Sequence, residues 1–376
     1  MLLLSGPNMG GNELKYVSEC IETGWVSSVG AYVDKFEKLS AEFAGTQYAV
    51  ATSSGTTALH TCLVMLGVTA SDYVIAPNIT FIATCNSIKY TGAGLILIDA
   101  DEFNWQMDLN LLQEFLENET EQKNGECFYK KNGRRIPVIM PVHVLGNICD
   151  MDRLMALAKK HNLVVLEDST EALGSYYKGN HAGSFGIMGT FSYNGNKIIT
   201  TGGGGMIVTH NEAFAKKAKH LTTQAKSDPF EYIHDEIGYN YRLVNVAAAM
   251  GVAQMEQLPG FLKRKKEIIA FYKNELNSIA DISWQQVNDD VNPNWWLPTI
   301  KTTKQRQVLK LLNDAKMQSR PFWVPMNQLR MFKDEIYYHK TDRSDFIYTH
   351  CLSIPCSTNI TQADLKAVAD KIKEAY

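Results

Sequence analysis

Three short stretches of this 376-residue chain carry side chains whose types and spacing could do chemistry. In the first, Thr190-Phe191-Ser192-Tyr193-Asn194-Gly195-Asn196-Lys197, an aromatic run delivers one amine into a polar turn, with four successive glycines at 202–205 close behind. A lysine in such a turn has nothing to pack against. With its ammonium form disfavoured by desolvation, it becomes an amine that attacks a carbonyl, which is Schiff-base chemistry. In the second, Ala51-Thr52-Ser53-Ser54-Gly55-Thr56-Thr57-Ala58-Leu59, a strand pattern runs through Ser, Gly and Thr into a helix pattern. Unpaired N–H groups, the helix dipole and hydroxyls together make an anion site, and Gly55 lets the backbone come close to a ligand. In the third, Val164-Val165-Leu166-Glu167-Asp168-Ser169-Thr170-Glu171, an apolar strand ends in three acids within five residues. The carboxyl end of a strand is where α/β folds place functional groups.

Each stretch alone has an ordinary reading: a solvated loop lysine, hydroxyl helix caps, carboxylates capping the next helix. Their occurrence together and in this order is what discriminates. A phosphate-sized cup, a strand-end acid and a loop amine are what pyridoxal phosphate requires: a phosphate site, a carboxylate for the pyridinium proton and an amine for the aldehyde.

The elements that must position these groups are visible as periodic runs. Seven short β-rich runs, at 48–52, 73–77, 95–100, 138–144, 163–168, 189–193 and 206–209, alternate with helical patterns at 56–66, 82–90, 108–118, 152–161 and 212–221. Several of the runs are almost wholly apolar, as strands buried on both faces must be, so the pattern predicts an α/β domain with a largely parallel sheet. Residues 118–135 are polar, with Asn132-Gly133 as a turn signal, and predict a surface excursion or hairpin. Residues 243–258 suit a buried or interface helix, 259–276 a separate amphipathic one, and 304–317 and 362–375 two more in a smaller α+β region. We expect domains at 1–250 and 251–376.

Composition sets outer bounds. With 45% hydrophobic residues and 20% charged, the chain can bury a sizeable core. A net charge of −3 and a pI near 6.3 provide no polycation for nucleic acid or an anionic membrane. The basic clusters Lys130-Lys131 with Arg134-Arg135, and Lys263-Arg264-Lys265-Lys266, read as a solvated loop and a solvated helix face. The seven cysteines are scattered without metal-ligand spacing, which predicts no metal site and a reduced, cytoplasmic protein. No signal peptide or membrane span is expected.

Further motifs accompany the three stretches: Gly24-Trp25-Val26-Ser27-Ser28-Val29-Gly30, Phe36-Glu37, Pro77-Asn78-Ile79-Thr80-Phe81, Pro141-Val142-His143, Gly238-Tyr239-Asn240-Tyr241-Arg242 and Arg320-Pro321-Phe322-Trp323. Ordered over nearly the whole chain, they resemble the DegT/DnrJ/StrS family of pyridoxal-phosphate-dependent nucleotide-sugar aminotransferases. The resemblance implies an aspartate-aminotransferase-like fold (fold type I), with a mixed, mostly parallel seven-stranded sheet and a smaller C-terminal α+β domain. It implies that Lys197 holds the cofactor and shuttles the proton, that Asp168 pairs with the pyridine nitrogen, and that Phe81 stacks on the ring. Gly55, Thr56 and Ser192 would hold the phosphate, with Asn240 reaching in from the second subunit of a homodimer. Glu171 stands beside the cofactor, where many relatives carry Gln or His. Trp25, Ser27, His143 and Arg320 are implied at the substrate, Arg320 toward the diphosphate.

The branch most similar to this chain aminates UDP-linked 4-keto-6-deoxy-N-acetylhexosamines on the way to bacillosamine or legionaminic acid. The expected reaction moves an amino group from glutamate to such a sugar. A 3-keto or a GDP- or dTDP-linked sugar is the alternative, and a non-catalytic binding module a weaker one, because Lys197, Asp168 and the cup are all present. Relatives that act as sugar 3-dehydratases carry His in place of the lysine.

Overall fold

The computed structural model describes residues 1–228 and 230–376. All seven strand-like runs enter one sheet: β1 (Tyr48–Thr52), β2 (Asp72–Pro77), β3 (Gly94–Ile98), β4 (Arg135–Ile139), β5 (Val164–Asp168), β6 (Met188–Ser192) and β7 (Gly205–Thr209). An eighth, β8 (Ile336–Tyr338), returns from the C-terminal region to the edge, and the spatial order is β1-β7-β6-β5-β4-β2-β3-β8. Neighbours from β6 through β8 are parallel, whereas β7 runs antiparallel to both β1 and β6. Strands β2, β3 and β7 are buried at every residue, which is why they read as unbroken apolar runs. The expected excursion is a hairpin, Thr120–Lys123 with Glu126–Tyr129, joined to β4.

Several expectations are corrected. The run at 138–144 ends as a strand at Ile139, because Pro141 has no N–H for the ladder, and Val142 makes only an isolated bridge to Asp168. Residues 243–276 do not form two helices. Helix Asn245–Leu276 runs straight through Pro259, losing one backbone bond while helices Glu13–Thr23 and Ala31–Ala44 pack along it. Position 250 therefore lies inside a continuous helix. Neither N-terminal helix was anticipated from the pattern.

The basic clusters are not simply solvated. Arg135 pairs with Asp72 at 2.9 Å, and the Arg134 guanidinium lies 3.9 Å from the Tyr73 ring centre, so the two arginines staple the excursion to the sheet. Lys265 is buried, because positions 258, 261, 265, 268 and 272 share the inward stripe of the long helix.

The C-terminal region builds a four-stranded sheet in the order Ser283–Trp284, Thr299–Lys301, Cys351–Ser353, Arg320–Pro321, covered by helices Gln305–Asp314 and Gln362–Lys373. Its core is continuous with that of the large sheet through Phe261, Tyr272, Trp296 and Phe322. All seven cysteines are buried and unpaired. No described helix is long and apolar enough to cross a membrane.

Candidate active site

The site forms where β1, β5 and β6 end and the C-terminal region closes over them. Past β1, Ser54 caps helix Gly55–Met65: its side chain accepts from Thr57 N–H, and the Thr57 hydroxyl accepts from Ser54 N–H. This box consumes the Ser54 hydroxyl and leaves the first N–H groups, those of Gly55 and Thr56, facing outward for an anion. A Cβ on Gly55 would sit 3.0 Å from Ser192 Cβ and 3.0 Å from Thr170 Cγ2, so the residue is glycine because three loops converge on it.

Past β5, Asp168 is buried. Its Oδ2 accepts from the Thr84 hydroxyl at 2.7 Å and its Oδ1 from Thr170 N–H at 3.2 Å. Its peptide is held by Pro141 and His143, the N–H donating to the Pro141 carbonyl and the carbonyl accepting from His143 N–H. Two donors keep this carboxylate aimed and leave acceptor capacity for a third.

Past β6, the turn carrying Lys197 is pinned at both ends. Lys197 N–H donates to Asn194 O, Thr201 N–H and the Thr200 hydroxyl both donate to Tyr193 O, and Trp296 Nε1 donates to Asn196 O at 2.7 Å. The expectation that this lysine lacks a packing partner fails for a tertiary reason. Its Nζ lies 3.7 Å from the Trp296 ring centre, supplied from a hundred residues away. On another side Glu171 Oε1 is 3.9 Å away, while Glu171 Oε2 accepts from Leu145 N–H at 2.8 Å.

Burial pushes the Lys197 ammonium down, against the pull of Glu171 and then of Asp168. Burial likewise pushes the Glu171 carboxyl up to about 7, opposed by Lys197. Burial thus disfavours both charges and favours the neutral amine of Lys197, the form in which a lysine serves as nucleophile and base.

Gly55, Thr56, Phe81, Ser192, Lys197 and Arg320 line one cavity of about 360 Å³, joined by Trp296, Phe322 and Trp323. Phe81 is half exposed, its ring centre 6.4 Å from that of Trp323. The loop carrying Phe81 is fixed by Asn327, which exchanges two hydrogen bonds with Asn78. Asn327 is thereby committed to structure.

Other predicted residues lie elsewhere in the chain. His143 is fully buried beneath the site, its Nε2 2.9 Å from Glu167 Oε2, and it does not line the cavity. Trp25 lines a separate surface pocket with Tyr32 and Asn245, and Ser27 is exposed. Asn240 is also exposed and outside the cavity of its own chain.

Sequence reasoning missed Trp296, Thr84 and the Glu37–Arg242 pair. Trp296 and Thr84 sit in apolar or neutral surroundings that carry no signature. Glu37 and Arg242 were seen only as motif members. They meet as a buried ion pair at 2.8 Å, with Glu37 also accepting from Ala51 N–H, which locks the end of β1 against the 238–242 loop. Ser53 N–H donates to Tyr241 O at 2.7 Å in the same contact.

The donor set fits pyridoxal phosphate. The Gly55 cradle and neighbouring N–H groups would hold the phosphate, Asp168 has a free acceptor position, and Lys197 is a buried amine in the same space.

Comparison with known proteins agrees with this geometry. Residues 7–373 match the DegT/DnrJ/EryC1/StrS aminotransferase family. The chain is 37% identical over 373 residues to the GDP-perosamine synthase of Escherichia coli O157:H7, covering 98% of this chain and 97% of that one. It is 29% identical over 391 residues to the UDP-4-amino-4,6-dideoxy-N-acetyl-beta-L-altrosamine transaminase of Campylobacter jejuni, with full coverage of both. The crystal structure of the aminotransferase TlmJ from Streptoalloteichus hindustanus superposes with a TM-score of 0.90 at 22% identity, covering 100% of this chain and 98% of that one.

Proposed function

This chain belongs to the DegT/DnrJ/EryC1/StrS aminotransferase family and is a pyridoxal-phosphate-dependent sugar aminotransferase, and from that premise we propose that it aminates the 4-keto carbon of a nucleotide-linked 6-deoxy sugar. The observation that carries the reading is the convergence of Lys197, the Gly55–Thr56–Ser192 cup and Arg320 on one cavity, with Asp168 and Glu171 buried behind it. Bound there, the cofactor supplies an aldehyde to carry the amino group and a ring to accept the carbanion's electrons.

The chain's own residues do the rest. Lys197 Nζ takes the α-proton of the amino-acid donor, for which glutamate is proposed, and returns one to the sugar carbon. Glu171, 3.9 Å away, shares the charge that this proton brings. Asp168 holds a proton on the ring nitrogen, oriented by Thr84. Phe81 would cover one face of the bound ring, and Trp323 and Arg320, lining the same cavity, would meet the sugar diphosphate.

The 37%-identical relative is named for a GDP-linked amino sugar and the 29%-identical one for a UDP-linked 4-amino sugar. We therefore rank a GDP-linked 4-keto sugar first and a UDP-linked acetamido sugar second, reversing the order expected from the motifs alone. We further propose a homodimer whose two sites are shared. Asn240 and Trp25 are exposed and lie outside the lining of their own cavity, and Phe230, Tyr232, Ile233 and Ile237, close to Asn240 in the chain, are each exposed apolar residues. Residues 1–250 and 251–376 are proposed as the large and small domains, with helix Asn245–Leu276 running across the boundary and shared by both. Seven unpaired, buried thiols support a reducing, cytoplasmic setting.

The test is to mix the cofactor-loaded protein with glutamate and then with GDP- and UDP-linked 4-keto and 3-keto sugars. The visible absorbance of the cofactor is expected to bleach with glutamate and to recover only with an accepted sugar, whose amine is read by mass spectrometry. Recovery with no 4-keto sugar would reject the substrate class.

A further inference from the structure

Trp296 is unusual in this site because every polar group it has is spoken for. Its indole N–H donates to Asn196 O at 2.7 Å, the carbonyl of the peptide from which Lys197 hangs. Its backbone N–H donates to Asn294 Oδ1 at 2.8 Å, and Asn294 Nδ2 in turn donates to the carbonyls of Glu171 and Leu173. Its carbonyl accepts from Lys265 Nζ at 2.9 Å. Lys265 is itself buried with no carboxylate among its partners, which are the carbonyls of Trp296 and Cys356 and, at longer range, Cys356 Sγ and Ser5 Oγ. A buried lysine spent on two carbonyls is a costly device to fix a backbone, and it ties the Trp296 peptide to that of Cys356.

The same residue offers its ring face to Lys197 at 3.7 Å. An indole face attracts an ammonium and is indifferent to a neutral amine, so it acts on one protonation state of Lys197 only. The charged groups facing that Nζ are Glu171 at 3.9 Å and, through space, Asp168, while Arg320 lines the same cavity.

We propose that Trp296 is a positioning residue for amino transfer: its face parks the Lys197 ammonium between the ring and Glu171 whenever the amine is not covalently engaged, and its indole N–H clamps the peptide that carries Lys197. Asn294 and Lys265 hold Trp296 in register with the Glu171 segment. The inference rests on Lys197 being the reacting amine.

The test uses the full-length protein, with Trp296→Leu, which removes both the face and the clamp, and Trp296→Phe, which keeps a face and removes the clamp. The first readout is the pH dependence of Lys197 acetylation by acetic anhydride in the cofactor-free protein, followed on the Lys197 peptide by mass spectrometry. The second is the split between kcat and KM for the amino-acid donor. Trp296→Leu is expected to move the acetylation midpoint down by about one pH unit and to lower kcat about tenfold with KM little changed. Trp296→Phe is expected to restore most of the midpoint but only part of kcat. A folded Leu variant with wild-type midpoint and kcat would overturn the proposal. If the Leu variant does not fold, a Phe variant with undiminished kcat overturns it instead. Turnover retained by Lys197→Ala would remove the underlying reading of the lysine and leave the Trp296 midpoint result standing.

Discussion

Lys197 Nζ and Glu171 Oε1 lie 3.9 Å apart inside the protein, with the lysine ammonium pushed down by burial and the carboxyl pushed up to about 7. The carboxyl shift has a consequence for stability that can be signed. Below an unfolded-chain carboxyl pKa of about 4.3 Glu171 is protonated in both states; between there and about 7 only the folded state keeps the proton. The contribution of Glu171 to stability therefore falls as pH rises through that window and is level above it. Glu171→Gln lacks this slope. Urea unfolding of the cofactor-free proteins from pH 4 to 8 is expected to show the variant gaining on wild type by up to roughly 3 kcal/mol across the window. Parallel pH profiles would remove the raised carboxyl from the account.

Lys197→Ala should separate binding from chemistry. The cup at Gly55, Thr56 and Ser192 and the carboxylate of Asp168 do not depend on the amine, so the variant is expected to retain cofactor and nucleotide sugar by equilibrium dialysis. Turnover is expected to drop by at least about 10²–10⁴-fold, the range assigned to loss of a positioned acid–base group. Near-normal amine formation by this variant would reject Lys197 as the acting amine.

Gly55→Ala tests the cup from the opposite side. The helix beyond Ser54 tolerates alanine, but the added Cβ would meet Ser192 and Thr170 side-chain carbons at 3.0 Å and must displace one of them by a few tenths of an ångström. The expected result is a folded protein whose affinity for cofactor falls about tenfold, with free phosphate competing less well for the site. Unchanged affinity would move the anion site away from this helix start.

What the sequence disclosed and what it hid divide along physical lines. The strands were legible because sheets covered on both faces demand unbroken apolar runs, and the three chemical stretches because each is local: cap, strand end, loop. Lys197 was found that way, but its partner Trp296 was not, since a tryptophan a hundred residues away carries no local mark of facing an amine. Lys265 was misjudged for the same reason. A basic run looks solvated until the helix stripe shows which one of its members faces inward. Helix Asn245–Leu276 was divided at Pro259 because propensity argues for a break there, and packing against two unforeseen helices overrode it. His143, placed at the substrate by resemblance, lies instead under the sheet end against Glu167.

The Glu37–Arg242 pair joins two motifs whose purpose the sequence did not reveal. Arg242 Nη1 donates to Glu37 Oε1 at 2.8 Å and to Ala51 O at 3.2 Å, all within the core. Leaving one of two buried charges without its partner costs about 3–5 kcal/mol. Because Lys219 Nζ stays 3.5 Å from Glu37 Oε2, Arg242→Met is expected to lower the unfolding free energy by the lower end of that range, about 3 kcal/mol, in chemical denaturation. It should also loosen the 238–242 loop, read as faster hydrogen exchange at Ser53, whose N–H donates to Tyr241 O. Stability within about 1 kcal/mol of wild type would mean the pair is dispensable.

Asn240 supplies the decisive test of a shared site, because it is exposed and outside the cavity of its own chain. If it completes the phosphate cup of a second copy, Asn240→Ala and Lys197→Ala are defective in different halves of one composite site. Each variant alone is expected to be nearly inactive. Unfolded together and refolded at equal amounts, half of the dimers are mixed. Each mixed dimer holds one site with both Lys197 and Asn240 intact and one with neither, so about a quarter of wild-type activity is expected. Were both residues to serve the site of the same subunit, every subunit in the mixture would carry one defect and no activity would return. The recovered fraction thus distinguishes a dimer that shares its sites from one that merely associates, and it does so independently of which sugar the enzyme accepts.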